Sequence, residues 1–373
     1  MDAIRLRTPL DAARAAAWVP AGVAALALLW PTTARAQAAD EHPSSTLERG
    51  VDAAVKPGDD FFAYANGAWL KANPIPEGRD RWGARNEIDG LTRRQMQNLL
   101  EEANTAPAGS VARKIADYRA AYLNTAAIES KGLAPLKSLL DSIDRIRDKA
   151  ELTRMLGRGM VSDVDPLNYG VFQSSHILGL SVEPGIAGET TYPAFLVQGG
   201  LGLPDREFYV RSDSQMQALR ARYRDYVSRM LALARFDHPD QRADAVLVLE
   251  TAIAVTQATR EASNNDHNGD SLWTRADFAR QAPGMDWSQF FAAAGLARQE
   301  TFVPWQPSAI RGVAALVNSA SLDAWKDYLR VRALDVHADV LPRALADLAL
   351  SMHGDALGHA RRVEFDVHAE RFE

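Results

Sequence analysis

The stretch that decides the fold class is residues 214–234, SQMQALRARYRDYVSRMLALA, followed closely by residues 241–261, QRADAVLVLETAIAVTQATRE. In the first stretch the apolar side chains recur every three or four residues, which is the spacing of one helix face. They are Met216, Leu219, Tyr223, Tyr226, Val227 and Met230. The second stretch is apolar on more than one side, as expected of a helix in the centre of a protein. Two long neighbouring helices predict a mainly α-helical fold.

Further helix starts are marked by polar residues that can cap a first turn. Asp59 and Asp60 precede a segment whose aromatic residues we expect to pack in the core. These are Phe61, Phe62, Tyr64 and Trp69. Ser110 precedes an apolar stripe at helical spacing. The stripe is formed by Val111, Ile115, Tyr118 and Tyr122.

The second half of the chain has two more signals of this kind. Thr274 and Asp277 have the spacing of a capping box. Ser321 precedes a helical segment that carries Trp325, and Pro342 must break or kink that helix.

One region departs from the helical pattern. Short β-prone runs separated by Gly and Ser lie between Leu167 and Leu203, at residues 167–172, 176–182 and 192–197. They predict a small antiparallel β insertion near 167–203.

The composition is that of an ordinary globular protein, with 47% hydrophobic and 24% charged residues among 373. The length predicts about two domains. A net charge of −6 with both signs well mixed argues against nucleic acid as a partner. The sequence has no cysteine, which excludes disulfides, thiolate zinc ligands and a cysteine nucleophile.

The N-terminus has the layout of a secretory signal peptide, which predicts a periplasmic or secreted protein. Arg5, Arg7 and Arg14 precede an apolar run from Ala15 to Trp30, and a small-residue cleavage site ends at Ala36. Residues 1–36 are therefore predicted to be removed, which leaves no integral membrane domain, and residues 37–50 form a linker. The alternative is an uncleaved segment that anchors the protein to the inner membrane, although the run is short for a bilayer span.

The residues alone show no self-contained active site. Zinc hydrolysis by one helix uses His-Glu-x-x-His, but no two of the eight histidines lie four apart. A C-terminal group could form a metal site, or it could be a solvated polar tail. Its members are His353, Asp355, His359, Glu364, Asp366 and His368. The glycine-rich residues 199–202 lack the Lys of a phosphate-binding loop and are interpreted as a tight turn.

Three separated segments carry a specific resemblance. They are residues 55–83, beginning VKPGDDFFAYANGAWL; residues 198–209, QGGLGLPDREFY; and residues 325–330, WKDYLR, with Leu341-Pro342 following. Together they resemble the N-terminal region of the M13 (neprilysin-like) zinc metallopeptidases, over residues 51–357. The resemblance implies a multi-helix lid lobe and part of the catalytic lobe of an enzyme that cleaves oligopeptides.

The family's zinc ligands lie in its later region, and this sequence contains none of them. No catalytic residue, metal ligand or cofactor is therefore predicted in this chain, although complete family members hold zinc. A separate catalytic C-terminal part is a possible partner. Residues 358–373 differ from the family pattern, and a truncation or frameshift near Gly358 is a hypothesis that fits.

The resemblance carries two candidate substrate-binding residues. Arg81, in the Arg-aromatic-Gly motif, is implied to grip the free carboxylate of a peptide, which a guanidinium can do bidentately. Asn86, five residues on, is implied to assist. The alternative for Arg81 is a surface ion pair with Glu77 or Asp80.

Three functional hypotheses remain open. The first is the N-terminal region of a secreted zinc metalloendopeptidase that is inactive alone. The second is a non-catalytic module that binds peptides or regulates, and the third is a non-functional remnant with an exposed apolar face.

Overall fold

The chain falls into two compact units. The computed structural model describes residues 50–76, 82–162, 174–185 and 192–356. The units are residues 1–99 and residues 100–373. The predicted signal peptide, the predicted strand at 167–172 and the tail from residue 357 lie outside the described residues. The domain boundaries after residues 36, 50 and 357 stay predictions.

The first unit contains helix α1, Phe61–Ala72, and most of helix α2, Ala84–Ala103. The predicted acidic start of α1 is confirmed, because the Asp60 carboxylate accepts a hydrogen bond from the Ala63 N–H at 2.9 Å. Near the other end of α1, the ammonium of Lys71 lies 2.6 Å from the carboxylate of Asp52. The segment before α1 is thereby attached to the helix.

The aromatic residues at the start of α1 do not lie in a core. Phe61 and Phe62 are 69% and 66% exposed, and Tyr64 and Trp69 are half-buried. The prediction that all four pack in the core is wrong. Gly67 is the one buried residue of α1, and the helix face that carries Phe61 and Phe62 is turned to solvent.

The second unit is mostly helical, as predicted. Its α-helices are α3 Val111–Leu123, α4 Thr125–Lys131, α5 Lys137–Asp144, α6 Lys149–Arg158, α7 Glu207–Val210, α8 Ser214–Leu233, α9 Pro239–Thr256, α10 Arg260–Ser263, α11 Arg275–Gln281, α12 Trp287–Ala293, α13 Pro307–Ser319, α14 Leu322–Val336 and α15 Arg343–Leu350. Short 3₁₀ helices lie at Ala134–Leu136, Asp266–Asp270 and Ala338–Val340, and a π-helix lies at Ser351–Ala356.

The two long helices predicted first form the centre of this unit. The apolar face of helix α8 is turned into the core, as its spacing predicts. Leu219 is half-buried, and the fully buried residues are Met216, Tyr223, Tyr226, Val227 and Met230. Helix α9 contacts α8, α13 and α14, which confirms its central position. It begins at Pro239 and ends at Thr256, earlier than expected.

The sheet is larger and more mixed than predicted. Strands β1, Leu178–Val182, and β2, Ala194–Gln198, pair antiparallel inside the predicted region. Two strands that the sequence did not suggest complete the sheet, β3 Trp273–Thr274 and β4 Thr301–Pro304, in the order β1-β2-β4-β3. Strand β4 pairs parallel with β2 and antiparallel with β3.

The capping signals noted in the sequence of the second unit are present in the structure. The Ser110 hydroxyl accepts from the Arg113 N–H at 3.1 Å, and Thr274 and Asp277 form both halves of a capping box. Ser321 caps α14. Helix α14 ends at Val336, before Pro342, and Pro342 is the N-cap of α15.

Candidate functional site

Of the two predicted substrate-binding residues, the structure describes Asn86. Arg81 lies outside the described residues. Asn86 is half-buried in the first turn of α2, where its Oδ1 accepts a hydrogen bond from the Gly83 N–H at 3.0 Å. The side chain therefore satisfies one of the N–H groups that a helix start leaves free. Its amide nitrogen is the group that could donate to a ligand.

Glu87, the neighbour of Asn86, joins α2 to the first segment of the resemblance, residues 55–83. The Trp69 indole N–H donates to Oε2 of Glu87 at 3.2 Å. Trp69 belongs to α1 and Glu87 to the first turn of α2, so the two segments are joined within the first unit.

The second segment of the resemblance, residues 198–209, follows directly from strand β2. Gly200 has φ +86°, a left-handed conformation that favours glycine, which confirms a tight turn. A Cβ on Gly202 would lie 1.8 Å from the hydroxyl oxygen of Tyr223. Only glycine allows the backbone to approach α8 so closely.

Buried amide side chains hold this turn to the loop after α9. The Gln198 side chain accepts from the Ala258 N–H at 2.8 Å and donates to the Ala258 carbonyl at 3.2 Å. Nε2 of Gln257 donates to the Gly199 carbonyl at 2.8 Å. These contacts add to the backbone pairing of Ser174 with Gln198 and Gly200 at the end of β2.

A fully buried carboxylate lies beneath the turn. The Tyr209 hydroxyl accepts hydrogen bonds from the N–H groups of Gly202 and Leu203, at 3.1 and 2.9 Å. It donates to Oε2 of Glu250 at 2.7 Å, while the Tyr223 hydroxyl donates to Oε1 at 3.0 Å. Glu250 thus joins α7 and α8 to α9.

Burial sets the charge state of Glu250. Loss of solvation raises its pKa from 4.5 to about 7, against the opposing effects of the Arg332 charge and the two tyrosine hydrogen bonds. A carboxyl group with such a pKa could serve as an acid or base. Because Glu250 is completely enclosed, its arrangement is that of a structural group.

A second group of charges surrounds Asp335 on α14. Its carboxylate contacts Arg332 at 3.3 Å and Nε2 of His353 at 2.7 Å, and it accepts from the Tyr226 hydroxyl. Burial opposes ionisation, but the hydrogen bond from His353 and the charge of Arg332 hold the pKa of Asp335 below its usual value.

Helix α14 connects this group to the segment before β1 and to the glycine-rich turn. Nη2 of Arg332 donates to the Ser175 carbonyl at 3.1 Å, and the Tyr328 hydroxyl on the same helix donates to the Gly200 carbonyl at 2.9 Å. We call Tyr209, Tyr223, Tyr226, Glu250, Tyr328, Arg332, Asp335 and His353 the buried polar network. It extends from the glycine-rich turn to the π-helix 351–356.

The sequence motifs did not predict this network, although the sequence contains one signal for it. Glu250 follows Val246 by four residues and precedes Ile253 by three, so it shares the buried stripe of α9. A carboxylate on such a stripe requires buried partners.

Part of the predicted C-terminal metal group lies within the described residues. His353 contacts Asp335, and His359, Glu364, Asp366 and His368 lie outside the described residues. Within the described ranges, no group of three His, Asp or Glu side chains is placed to hold a metal ion. The donor set that a catalytic zinc needs is not offered by these residues.

A cleft of about 200 Å³ lies near α11 and α12. Its charged side chains Arg275 and Asp286 already make hydrogen bonds within the protein. The Arg275 guanidinium donates to the Ala297 carbonyl at 2.7 Å, and Asp286 caps α12 by accepting from the Gln289 N–H at 3.0 Å.

Of the helices in the described ranges, none combines the length and apolarity needed to span a bilayer.

Solved structures share this fold. Zinc metalloprotease Zmp1 of Mycobacterium tuberculosis in its open state aligns with a TM-score of 0.70 and 28% identity, over 84% of this chain and 48% of Zmp1. PepO from Lactobacillus rhamnosis aligns with a TM-score of 0.57 over 82% of this chain and 47% of its own, and its 16% identity supports the fold alone.

Curated relatives are similar in sequence. Endothelin-converting enzyme 1 of Rattus norvegicus is 25% identical over 77% of this chain and 38% of its own length. Endothelin-converting enzyme-like 1 of Mus musculus is 24% identical over 83% of this chain and 41% of its own. The chain therefore spans less than half the length of the relatives it matches.

The family assignment rests on most of the chain, and it agrees with the helical fold, the mixed sheet and the glycine-rich turn. The sequence model of peptidase family M13 matches residues 57–366. This chain belongs to peptidase family M13.

Proposed function

We propose that this chain is the N-terminal, substrate-contacting part of a secreted M13-type zinc endopeptidase that cleaves short peptides. The observation that carries the proposal is the family match over residues 57–366, in a chain where no two histidines have the His-Glu-x-x-His spacing. The metal and the catalytic residues then come from polypeptide that corresponds to the remainder of the relatives.

The described residues do not fit a catalytic zinc, so no chemical step is assigned to them. Their role in the proposal is to bind and orient the peptide. Arg81 supplies a guanidinium for the carboxylate of the peptide, and Asn86 assists with its amide nitrogen. The start of α2 supports this arrangement, because the N-terminus of a 20-residue helix attracts an anion.

Export is the second element of the proposal. The basic, apolar and small-residue pattern of residues 1–36 supports cleavage after Ala36 and release into the periplasm or outside the cell. Retention of the segment as a membrane anchor is the alternative. Sequencing the N-terminus of the protein recovered from cells separates the two, since cleavage leaves Gln37 as the first residue.

A reconstitution experiment tests the proposal. The purified chain is mixed with the M13-type polypeptide of the same genome that carries His-Glu-x-x-His, whether it is encoded downstream or separately. We expect chelator-sensitive cleavage of a short quenched peptide that requires both components. An inactive mixture would contradict the proposal, and so would chelator-sensitive cleavage by this chain alone.

A further inference from the structure

Two tyrosines hold the buried carboxyl group of Glu250, but their hydroxyl groups are not equivalent. Besides donating to Oε2, the Tyr209 hydroxyl accepts from the backbone N–H groups of Gly202 and Leu203. The Tyr223 hydroxyl donates to Oε1 at 3.0 Å, and in the part of the chain that the structure describes it makes no other hydrogen bond. The two hydroxyl groups therefore differ in their freedom to change direction.

The direction of the Tyr209 hydrogen bond is fixed by the turn. A hydroxyl group has one hydrogen to donate and two lone pairs that accept. Both lone pairs of Tyr209 are used by the turn, so its hydrogen goes to Oε2 of Glu250 whatever the charge of the carboxyl group. A hydrogen on Oε2 would find no free lone pair on Tyr209. A proton that binds to Glu250 must then reside on Oε1.

The charged groups that face Glu250 do not offer an acceptor for this proton. Helix α14 contributes Arg332 and Asp335, whose charges act on Glu250. A guanidinium has no lone pair to offer, and the Asp335 carboxylate already binds Arg332 and His353. Helix α13 also packs against α9, and its one charged side chain, Arg311, lies over a tryptophan ring.

The remaining hydroxyl group near the carboxyl group belongs to Tyr328. It donates to the Gly200 carbonyl at 2.9 Å and makes no hydrogen bond to Glu250. Among the described residues, Tyr223 is therefore the hydroxyl group that can accept a hydrogen from Oε1.

Burial makes the neutral state of Glu250 accessible. Loss of solvation raises the pKa of this carboxyl group from 4.5 to about 7. The neutral and the ionised carboxyl group are therefore both populated near neutral pH. The hydrogen bonds around Glu250 must satisfy each state in turn.

We propose that Glu250 and Tyr223 form a proton-operated switch beneath the glycine-rich turn. When a proton binds to Oε1, Glu250 becomes the donor and the hydroxyl oxygen of Tyr223 becomes the acceptor. Tyr223 keeps its own hydrogen, which turns away from Glu250. Because a Cβ on Gly202 would lie 1.8 Å from this hydroxyl oxygen, the Tyr223 hydroxyl adjoins the backbone of the turn. The turn thus meets a different hydrogen-bond pattern at acidic and at alkaline pH.

Carbon-13 NMR of the glutamate side chains, recorded from pH 5 to pH 9, tests the proposal. The signal of Glu250 is identified by its loss in Glu250→Gln, and the exposed Glu261 serves as a reference in the same spectrum. The titration midpoint of Glu250 is then compared in the wild type, Tyr209→Phe and Tyr223→Phe. Tyr118→Phe, at a 76% exposed position, is the matched control. Circular dichroism checks that each variant is folded.

We expect the two phenylalanine variants to differ. Tyr209→Phe removes a donor that favours the ionised carboxyl group, so the midpoint should rise by about one pH unit or more. Tyr223→Phe removes a donor to the ionised state and an acceptor for the neutral state. These losses oppose each other, so the midpoint should move by less than about half a unit. The control should leave it unchanged.

Two results would overturn the proposal. An equal rise of the midpoint in Tyr223→Phe and Tyr209→Phe would mean that Tyr223 is a donor in both states. A wild-type midpoint equal to that of Glu261 would mean that Glu250 takes up no proton near neutral pH.

A second measurement keeps the proposal testable if Tyr209→Phe does not fold. Ultraviolet resonance Raman spectra of the wild type, with the spectrum of Tyr223→Phe subtracted, isolate the ring doublet of Tyr223. The intensity ratio of that doublet depends on whether the hydroxyl donates or accepts. We expect the ratio to change across the midpoint of Glu250, and a ratio that is the same at pH 5 and pH 9 would overturn the switch.

Discussion

The hydroxyl of Tyr209 donates to Glu250 at 2.7 Å while it accepts from two backbone N–H groups of the glycine-rich turn. One phenol thus links a buried carboxylate of α9 to the segment that most resembles the M13 family. The turn keeps its conformation because Glu250 and Tyr209 are both satisfied within the core.

Glu250 makes the stability of the fold depend on pH. Its pKa is raised from 4.5 to about 7 in the folded chain, so the folded state holds a proton that the unfolded state has lost between these values. The free energy of unfolding therefore falls as pH rises from about 4.5 to 7, by an upper limit of about 3 kcal/mol. Urea unfolding of the wild type and Glu250→Gln at pH 5 and pH 8 measures the effect.

We expect Glu250→Gln to remove most of this decline, since the amide does not titrate. Glu261→Gln, at an exposed position in α10, is the control and should keep the wild-type profile. Equal pH dependence in the wild type and Glu250→Gln would refute the prediction.

The two tyrosines that bind Glu250 should differ in their contribution. Tyr209→Phe removes the donor to Glu250 and the acceptor for two N–H groups, whereas Tyr223→Phe removes one donor. We expect losses of about 3 kcal/mol and about 1 kcal/mol in the free energy of unfolding. Tyr118→Phe, at a 76% exposed position, should change it by less than about 0.5 kcal/mol. Chemical denaturation measures these free energies of unfolding. A larger loss for Tyr223→Phe than for Tyr209→Phe would contradict the prediction.

Gly202→Ala should destabilise the second unit. The new Cβ would lie 1.8 Å from Oη and 2.5 Å from Cζ of Tyr223, so α8 or the turn must shift, at a cost of about 1–3 kcal/mol. The double variant with Tyr223→Phe should recover only part of the loss, because the ring carbon remains. Gly58→Ala, which has no atom within 4 Å of the added Cβ, is the control. If the thermal unfolding midpoint of Gly202→Ala equals that of the control, the turn can accommodate the added methyl group without a measurable cost, and the prediction is wrong.

Arg81 should distinguish peptides by their C-terminus. Loss of a charge-assisted hydrogen bond costs about 1.5–3 kcal/mol, so Arg81→Ala should weaken binding of a peptide with a free carboxylate at least roughly tenfold. An amidated peptide should bind the wild type and the variant alike. Fluorescence anisotropy with both peptides provides the measurement, with Arg85→Ala, at an exposed position in α2, as the control. Discrimination between the peptides that persists in Arg81→Ala would assign the carboxylate to another residue.

Short-range features of this fold followed from the sequence. The caps at Ser110, Thr274 and Ser321 were predicted because a capping side chain binds an N–H within about three residues, so the signal and its partner lie together. The central helices α8 and α9 were predicted for a similar reason, since a helix face repeats within four residues. The family could also be recognised from the sequence, because each of its motifs lies within one short continuous segment.

Features that depend on distant partners required the tertiary structure. Strand β4 joins β2 although about a hundred residues separate them, and nothing in four residues at 301–304 indicates that pairing. The family motifs indicated Arg81 and Asn86, yet they did not indicate the buried polar network. Its hydrogen bonds join Tyr209 and Tyr223 to Glu250 across 41 and 27 positions.

The sequence by itself thus determined the helical class, the helix starts and the family of this protein. Tertiary structure alone decided which apolar faces are covered, as the exposed Phe61 and Tyr118 demonstrate. It also decided that Glu250 is enclosed with a raised pKa. The physical reason is that a helix needs only its own backbone hydrogen bonds, whereas burial and a shifted pKa depend on groups from other parts of the chain.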